Sequence, residues 1–240
     1  MADLDSVKSA AEEFKGKEEK LDLLFCNAGV MVPPLDMVTA QGYDLQWGTN
    51  VVGHYLLCIL LLPSLQAAFR ATGVKPRIVT TSSTGHRMIF GSTGLLSWEA
   101  LKAGEERDAL VKKWGQTLGA PRYYGQSKFG NILVANLLQR RYGNEIVSMS
   151  CHPGGLTSGL TRHHPGWVDA IWSRCFWPVP MGALTQLWGA TSKEGAELGG
   201  KYLIPWARVG EADARAYNEQ TQDVLEACFK KELAAWLLSQ

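Results

Sequence analysis

Apolar residues recur along the chain with two periods. Val7, Ala10, Ala11 and Phe14 fall at i, i+3, i+4 and i+7, the stripe of an amphipathic helix, and Gly16 closes it. Leu21 to Cys26 is a short apolar run ending in Asn27-Ala28-Gly29, which predicts a buried strand entering a tight turn. From Gly42 to Leu62 apolar positions repeat at helical spacing with no breaker after Gly53, and Pro63 stands at the far end, so a long, mostly buried helix is expected. Arg77 to Ser82 is rich in β-branched residues, a second buried strand, and a polar turn follows at Ser83 to Gly85. The stretch from Arg87 to Pro121, with Gly91, Gly94, Gly104, Gly115 and Gly119, reads as an irregular connection of the kind that carries function or disorder. Tyr123 to Tyr142 is again helical, and Ile146 to Cys151 gives a third strand that His152-Pro153-Gly154-Gly155 breaks. Lys201 to Pro205 resembles a last strand, and Ala212 to Leu238 a covering helix.

Strands separated by helices of this length need crossover connections, so the sheet is parallel and the fold class α/β. Ligands of open α/β sheets bind beyond the carboxyl ends of the strands. Three strands here end in Asn27-Ala28-Gly29, Ser82-Ser83-Thr84-Gly85 and His152-Pro153-Gly154-Gly155. Any one of these turns is ordinary loop chemistry. Their coincidence on one edge would define a pocket.

Composition narrows the class. Of 240 residues, 46% are hydrophobic and 20% charged, enough apolar side chain for a single domain spanning 1–240. Twenty-four basic residues face 23 acidic ones, a net charge of +1 with no basic block, which argues against nucleic acid as a partner. The longest uninterrupted apolar run, Tyr55 to Leu62, falls short of the roughly 18 residues of a membrane-spanning helix. The acidic start at Asp3 and Asp5 is unlike a secretory signal. Cys26, Cys58, Cys151, Cys175 and Cys228 are odd in number and widely spaced, which suits reduced thiols, no metal site and a cytoplasmic location.

In Tyr124-Gly-Gln-Ser-Lys128 the phenol and the amine lie four apart and share a helix face. Lowering a phenol from about 10 to about 7 takes about 4 kcal/mol in favour of the phenolate. One cation about 4 Å away at an effective dielectric near 20 supplies that amount. Lys128 would therefore make Tyr124 a usable acid–base group. The same spacing also serves exposed packing or cation–π pairs.

The order of features adds what no single motif carries. Asn27-Ala28-Gly29 follows one strand, Asn50 sits in the next helix, Ser83 follows the next strand, then come Tyr124 and Lys128, then Pro153-Gly154. This order resembles the short-chain dehydrogenase/reductase family, in its retinol-dehydrogenase-like branch, and Thr49-Asn-Val-Val-Gly-His-Tyr55 is similar to the helix bearing that family's active-site asparagine. The resemblance runs from Met1 to about Ser158. It implies a Rossmann-like doubly wound parallel sheet and an NAD(P)-dependent oxidoreductase, with NADP slightly favoured over NAD. Hydride passes between a hydrophobic alcohol or carbonyl compound and the nicotinamide, while protein groups move the proton.

By the same resemblance Tyr124 is the general acid or base, Ser83 bonds the substrate oxygen, and Lys128 holds the nicotinamide ribose and tunes the phenol. Asn50 would position a water in the proton relay, although asparagine in a broken helix also serves by bonding backbone carbonyls, and Ser83 could cap its turn. Asn27, Ala28 and Gly29 match the turn beside the cofactor ribose, and Pro153, Gly154 and Ser158 the stretch beside the nicotinamide amide.

The glycine-rich TGxxxGxG turn that holds the cofactor pyrophosphate in this family does not occur among the 240 residues. The resemblance therefore implies a partial domain lacking the family's first strands, an apolar sheet edge beside Leu21 to Cys26, and weak cofactor binding. A non-catalytic remnant acting as a binding or scaffold protein is the alternative. Trp167, Trp172, Trp177 and Trp188, with Phe176, Pro178, Pro180 and Met181, fall where the family builds its substrate lid. They suit an apolar substrate, a packed core or a peripheral membrane contact. Oligomeric state stays open.

Overall fold

The computed structural model describes residues 1–88, 95, 97–157 and 176–238. Helix α1 spans Leu4–Lys15, with Asp3 accepting from the Asp5 amide at its start and Gly16 at its end. Strand β1 is Leu23–Cys26, β2 is Arg77–Thr81 and β3 is Val147–Cys151, joined by α3 (Gly53–Thr72) and α4 (Glu105–Tyr142). Strands β4 (Leu156–Thr157) and β5 (Trp177–Pro178) form a small parallel pair that leads into α5 (Val179–Thr191). The chain closes with β6 (Tyr202–Ile204), β7 (Arg208–Gly210) and α6 (Glu219–Leu238).

The main sheet has the order β1-β2-β3-β6-β7, parallel except for the β6/β7 pair. Alternation along β2 feeds two cores, one per face. Ile78 joins Cys26, Cys58, Leu65, Leu133 and Leu137 under α3 and α4, whereas Val79 joins Met149, Cys151, Ala190 and Leu203 under α5. The sheet is therefore doubly wound, as expected.

Several sequence expectations change in detail. β1 is a sheet edge and not a buried strand. Among the described residues no strand pairs its outer side, and Phe25 is 37% exposed. That is the edge expected beside Leu21 to Cys26, while α5 packs on β2, β3 and β6. The long helix continues through Pro63 to Thr72, capped by Gly73 at φ 71°, and it opens with a short α2 (Leu45–Trp47) and a π-turn over Gly48–Val52. By length and composition the stretch Leu45–Thr72 could cross a membrane, a property the uninterrupted-run criterion missed, but 61% of its apolar window is buried inside this fold.

The stretch to Pro121 also holds more order than the glycines suggest, since helix begins at Glu105 behind an acidic first turn. Gly115 breaks it at φ 62°, a left-handed value that glycine adopts without strain, and two helical pieces meet there. β7 is an additional antiparallel strand beyond the expected last one. Trp188 packs against the core under α5, while Trp177 is 53% exposed and lies edge-on to Trp206. Trp167 and Trp172, like Ser158 and Cys175, lie outside the described residues.

Candidate active site

The three turns meet. A cavity of about 680 Å³ beyond the carboxyl ends of β1, β2 and β3 is lined by Asn27, Ala28 and Gly29, by Ser82 and Ser83, and by Pro153 and Gly154, with Tyr124 and Lys128 in its wall. Leu156, Val179, Ala183 and Leu187 add an apolar side. The parallel register that aligns Cys26 with Thr80 and Thr81 with Cys151 brings these strand ends level.

Tyr124 and Lys128 share one buried face of α4, at 6% and 4% exposure. Gly125 allows this face to approach the Ser83 turn, since a Cβ there would stand 2.8 Å from the Met88 carbonyl oxygen and 2.9 Å from that of Gly85. Ser83 caps the turn by accepting from the Gly85 amide at 3.1 Å, and its hydroxyl also bonds the Tyr124 side chain. Burial pushes the Tyr124 phenol above its ordinary value, more than the Ser83 bond pulls it down. This corrects the expectation that Lys128 lowers it. The ammonium stands 5.7 Å from the ring centroid, and its own burial brings Lys128 down to about 8. Burial thus opposes the phenolate and weakens the ammonium, so the pair differs from the solvent-screened charge pair drawn from helix spacing.

Asn50 lies in the π-turn, 0% exposed. Its side chain accepts from the Val30 amide at 2.9 Å and donates to the Val30 carbonyl at 3.0 Å and to Ser127 Oγ at 2.9 Å. Ser127 Oγ in turn donates to the Tyr124 carbonyl at 2.8 Å. The side chain thus ties the turn after β1 to the backbone of Tyr124, the structural use of asparagine that the sequence left open. Its backbone carbonyl meets His54 Nδ1 at 2.9 Å. π-turns of this kind recur at functional sites because they displace carbonyls from the regular ladder.

Lys128 Nζ donates to the Thr81 carbonyl at 3.1 Å, leaving further N–H donors of its ammonium for a ligand. A Cβ on Gly29 would sit 3.1 Å from Asn50 Oδ1 and 3.6 Å from Lys128 Nζ, so this turn, Asn50 and Lys128 converge on one point. Asn27 Oδ1 accepts from Thr81 Oγ1 and from Gln186 Nε2, each at 3.1 Å. Thr81 and Gln186 were not singled out from sequence. Thr81 adjoins the serine pair and could have been, whereas Gln186 reaches the site from α5 with no local signal.

Comparison with known proteins places this geometry. No family model matches the chain. Over 213 residues, 88% of this chain and 64% of the relative, it is 46% identical to a short-chain dehydrogenase/reductase of Armillaria gallica. The chain belongs to the short-chain dehydrogenase/reductase family. It is also 30% identical over 230 residues to retinol dehydrogenase 12 of Mus musculus, covering 94% of this chain and 65% of that one. The chain thus spans a little under two thirds of the length of these curated short-chain dehydrogenases/reductases.

An uncharacterized Mycobacterium paratuberculosis protein of solved structure matches with a TM-score of 0.64 and 25% identity, over 96% of this chain and 72% of that one. The NADPH-bound carbonyl reductase from chicken fatty liver matches in fold, with a TM-score of 0.58 and 20% identity over 88% and 74% of the two chains.

Proposed function

We propose that this chain carries the catalytic portion of an NAD(P)-dependent oxidoreductase that interconverts a hydrophobic alcohol and its carbonyl compound. The observation that supports this reading is the single cavity in which Tyr124, Ser83 and Lys128 face the three strand-end turns. The residues suit the nicotinamide end of the cofactor. Lys128 offers ammonium donors to ribose hydroxyls, Asn27 and Gly29 border the same point, and Pro153 and Gly154 border the amide position. They do not suit its pyrophosphate, because among the described lining residues Lys128 is the one cation and it sits at the buried end. NADP is preferred on the strength of the NADPH-bound carbonyl reductase with the same fold.

When bound, the nicotinamide supplies or accepts the hydride. The chain's own groups handle oxygen and proton. Burial keeps the Tyr124 phenol protonated at neutral pH, so Tyr124 acts as the acid in carbonyl reduction, giving its proton to the substrate oxygen as the C–H bond forms. Ser83 Oγ orients that oxygen, and its hydroxyl stabilises the phenolate left behind. Leu156, Val179 and Leu187 give an apolar substrate its contact area. The cytoplasm is the proposed location, in keeping with Cys26, Cys58 and Cys151 as buried free thiols.

The test is a fluorescence titration with reduced nicotinamide mononucleotide followed by a reduction assay on an aromatic ketone. Tyr124→Phe should bind the nucleotide as the parent does and lower turnover about 10²-fold or more. Turnover within threefold of the parent would exclude Tyr124 as the acid. Absence of nucleotide binding by the parent would favour a non-catalytic binding protein.

A further inference from the structure

Two histidines outside the proposed catalytic set each hold one of the cavity's turns. His86, 0% exposed, presents Nδ1 to the Ser83 carbonyl at 2.6 Å, while its Nε2 receives the Asp213 amide at 3.1 Å. An imidazole nitrogen that accepts from an N–H carries no proton, so His86 is the neutral tautomer with hydrogen on Nδ1, donated to Ser83. His152 shows the reverse arrangement. Its Nδ1 receives the Gly154 amide at 3.1 Å, which places the proton on Nε2.

Tyr202, 2% exposed on β6, lies between them. His152 stacks on its ring at 6.1 Å and 20°, and His86 stands edge-on at 5.1 Å and 67°. The Tyr202 hydroxyl is also 3.4 Å from His86 Nδ1. Through Asp213, which accepts from the Arg215 amide, the clamp continues into the C-terminal segment, and Arg87 reaches the Glu211 carbonyl at 2.8 Å beside it.

We propose that His86 and His152 are positioning residues, neutral imidazoles of opposite tautomer packed against Tyr202 that hold the Ser83 turn and the Pro153-Gly154 turn in register. This rests on reading those turns as parts of the proposed active site. Each acceptor nitrogen faces a backbone N–H, so protonating His152 sets two donors against each other and releases the Gly154 turn, whereas protonating His86 breaks its tie to the Asp213 amide and leaves its bond to the Ser83 carbonyl in place.

The surroundings oppose protonation until the pH is low. Burial lowers both histidines, His152 to about 4, with each positive charge further disfavoured by a neighbour: Arg87 for His86, and His86 for His152. The Asp213 carboxylate acts the other way on His86 but is itself paired with Arg215. The remaining titratable groups around Tyr202, namely Cys151, Tyr124 and Tyr217, are kept protonated by burial.

The experiment is NMR on the full chain with ¹⁵N-labelled histidine and assigned amides. At pH 7 the parent should show His86 protonated on Nδ1 and His152 on Nε2, and the Gly154 amide should move only below about pH 5, together with the His152 ring. In His152→Asn the side-chain oxygen can accept the same Gly154 amide as an Asx-turn but cannot be protonated. That variant should keep the parent Gly154 amide shift at pH 7 and lose its acid movement, whereas His152→Phe should lose the parent shift at every pH. A His152 ring titrating near 6.5 with Gly154 unmoved, or an unchanged acid movement in His152→Asn, would overturn the proposal. These readouts need no nucleotide, so the clamp can stand when the mononucleotide titration fails, and fall when it succeeds.

Discussion

Replacing Asn50 by alanine tests whether the π-turn holds the site together. The side chain makes three hydrogen bonds, to both polar groups of Val30 and to Ser127 Oγ, from a fully buried position. Each bond is worth about 0.5–1.5 kcal/mol net, and a buried group left unpaired costs about 1–3 kcal/mol. Val30 is half-buried, so its amide and carbonyl can regain water in part. Ser127 is buried but keeps its bond to the Tyr124 carbonyl. The loss should therefore be roughly 3 kcal/mol, near the plain sum of the bonds. For a domain of this size that lowers Tm by roughly 6–12 °C at about 2–4 °C per kcal/mol. Thermal unfolding by circular dichroism, supported by the urea midpoint, measures it. Asn50→Asp should do no better, because the second carboxylate oxygen would face the Val30 carbonyl where the amide NH₂ now donates. A loss below about 1 kcal/mol in Asn50→Ala would refute the view that this side chain fastens the turn after β1 to Tyr124.

Two further outcomes follow from the same wall. Lys128 titrates near 8 in the fold against 10.5 for an ordinary lysine, so between those values the unfolded chain binds more protons and stability rises with pH. The parent should gain on the order of 3 kcal/mol relative to Lys128→Met between pH 8 and 10.5 in urea titrations, and parallel curves would contradict the burial penalty. Gly125→Ala pits a helix-propensity gain of about 1 kcal/mol against overpacking of about 1–3 kcal/mol. The clash is with the backbone carbonyls of Met88 and Gly85, which cannot rotate away, so calorimetry should show net destabilisation and reduction should slow as the Ser83 turn shifts.

The chain's periodicity by itself determined the α/β class, the parallel run of β1, β2 and β3, and the strand-end turns as the place for chemistry. These follow from local patterns, since a β-branched run flanked by helix and closed by Asn, Ser or Gly has few other ways to fold. The order of Asn27, Asn50, Ser83, Tyr124, Lys128 and Pro153 was likewise written in the chain and pointed to the family. Tertiary structure decided what depends on coverage and burial. β1 reads as buried from its composition but is an edge, because among the described residues no strand pairs its outer side. Pro63 reads as a stop, yet the helix runs on through it.

The Tyr124–Lys128 pair shows the division most clearly. Helix spacing made the two side chains neighbours, and a surface dielectric then made one cation sufficient to tune the phenol. In the fold both groups lie in a wall that disfavours charge on either, so desolvation sets the sign of the shift. Gln186 and His86, and the bond His152 makes within its turn, escaped sequence reasoning for a related reason: each acts across the fold or against a neighbouring backbone amide, and no local pattern records which backbone N–H a side chain will meet.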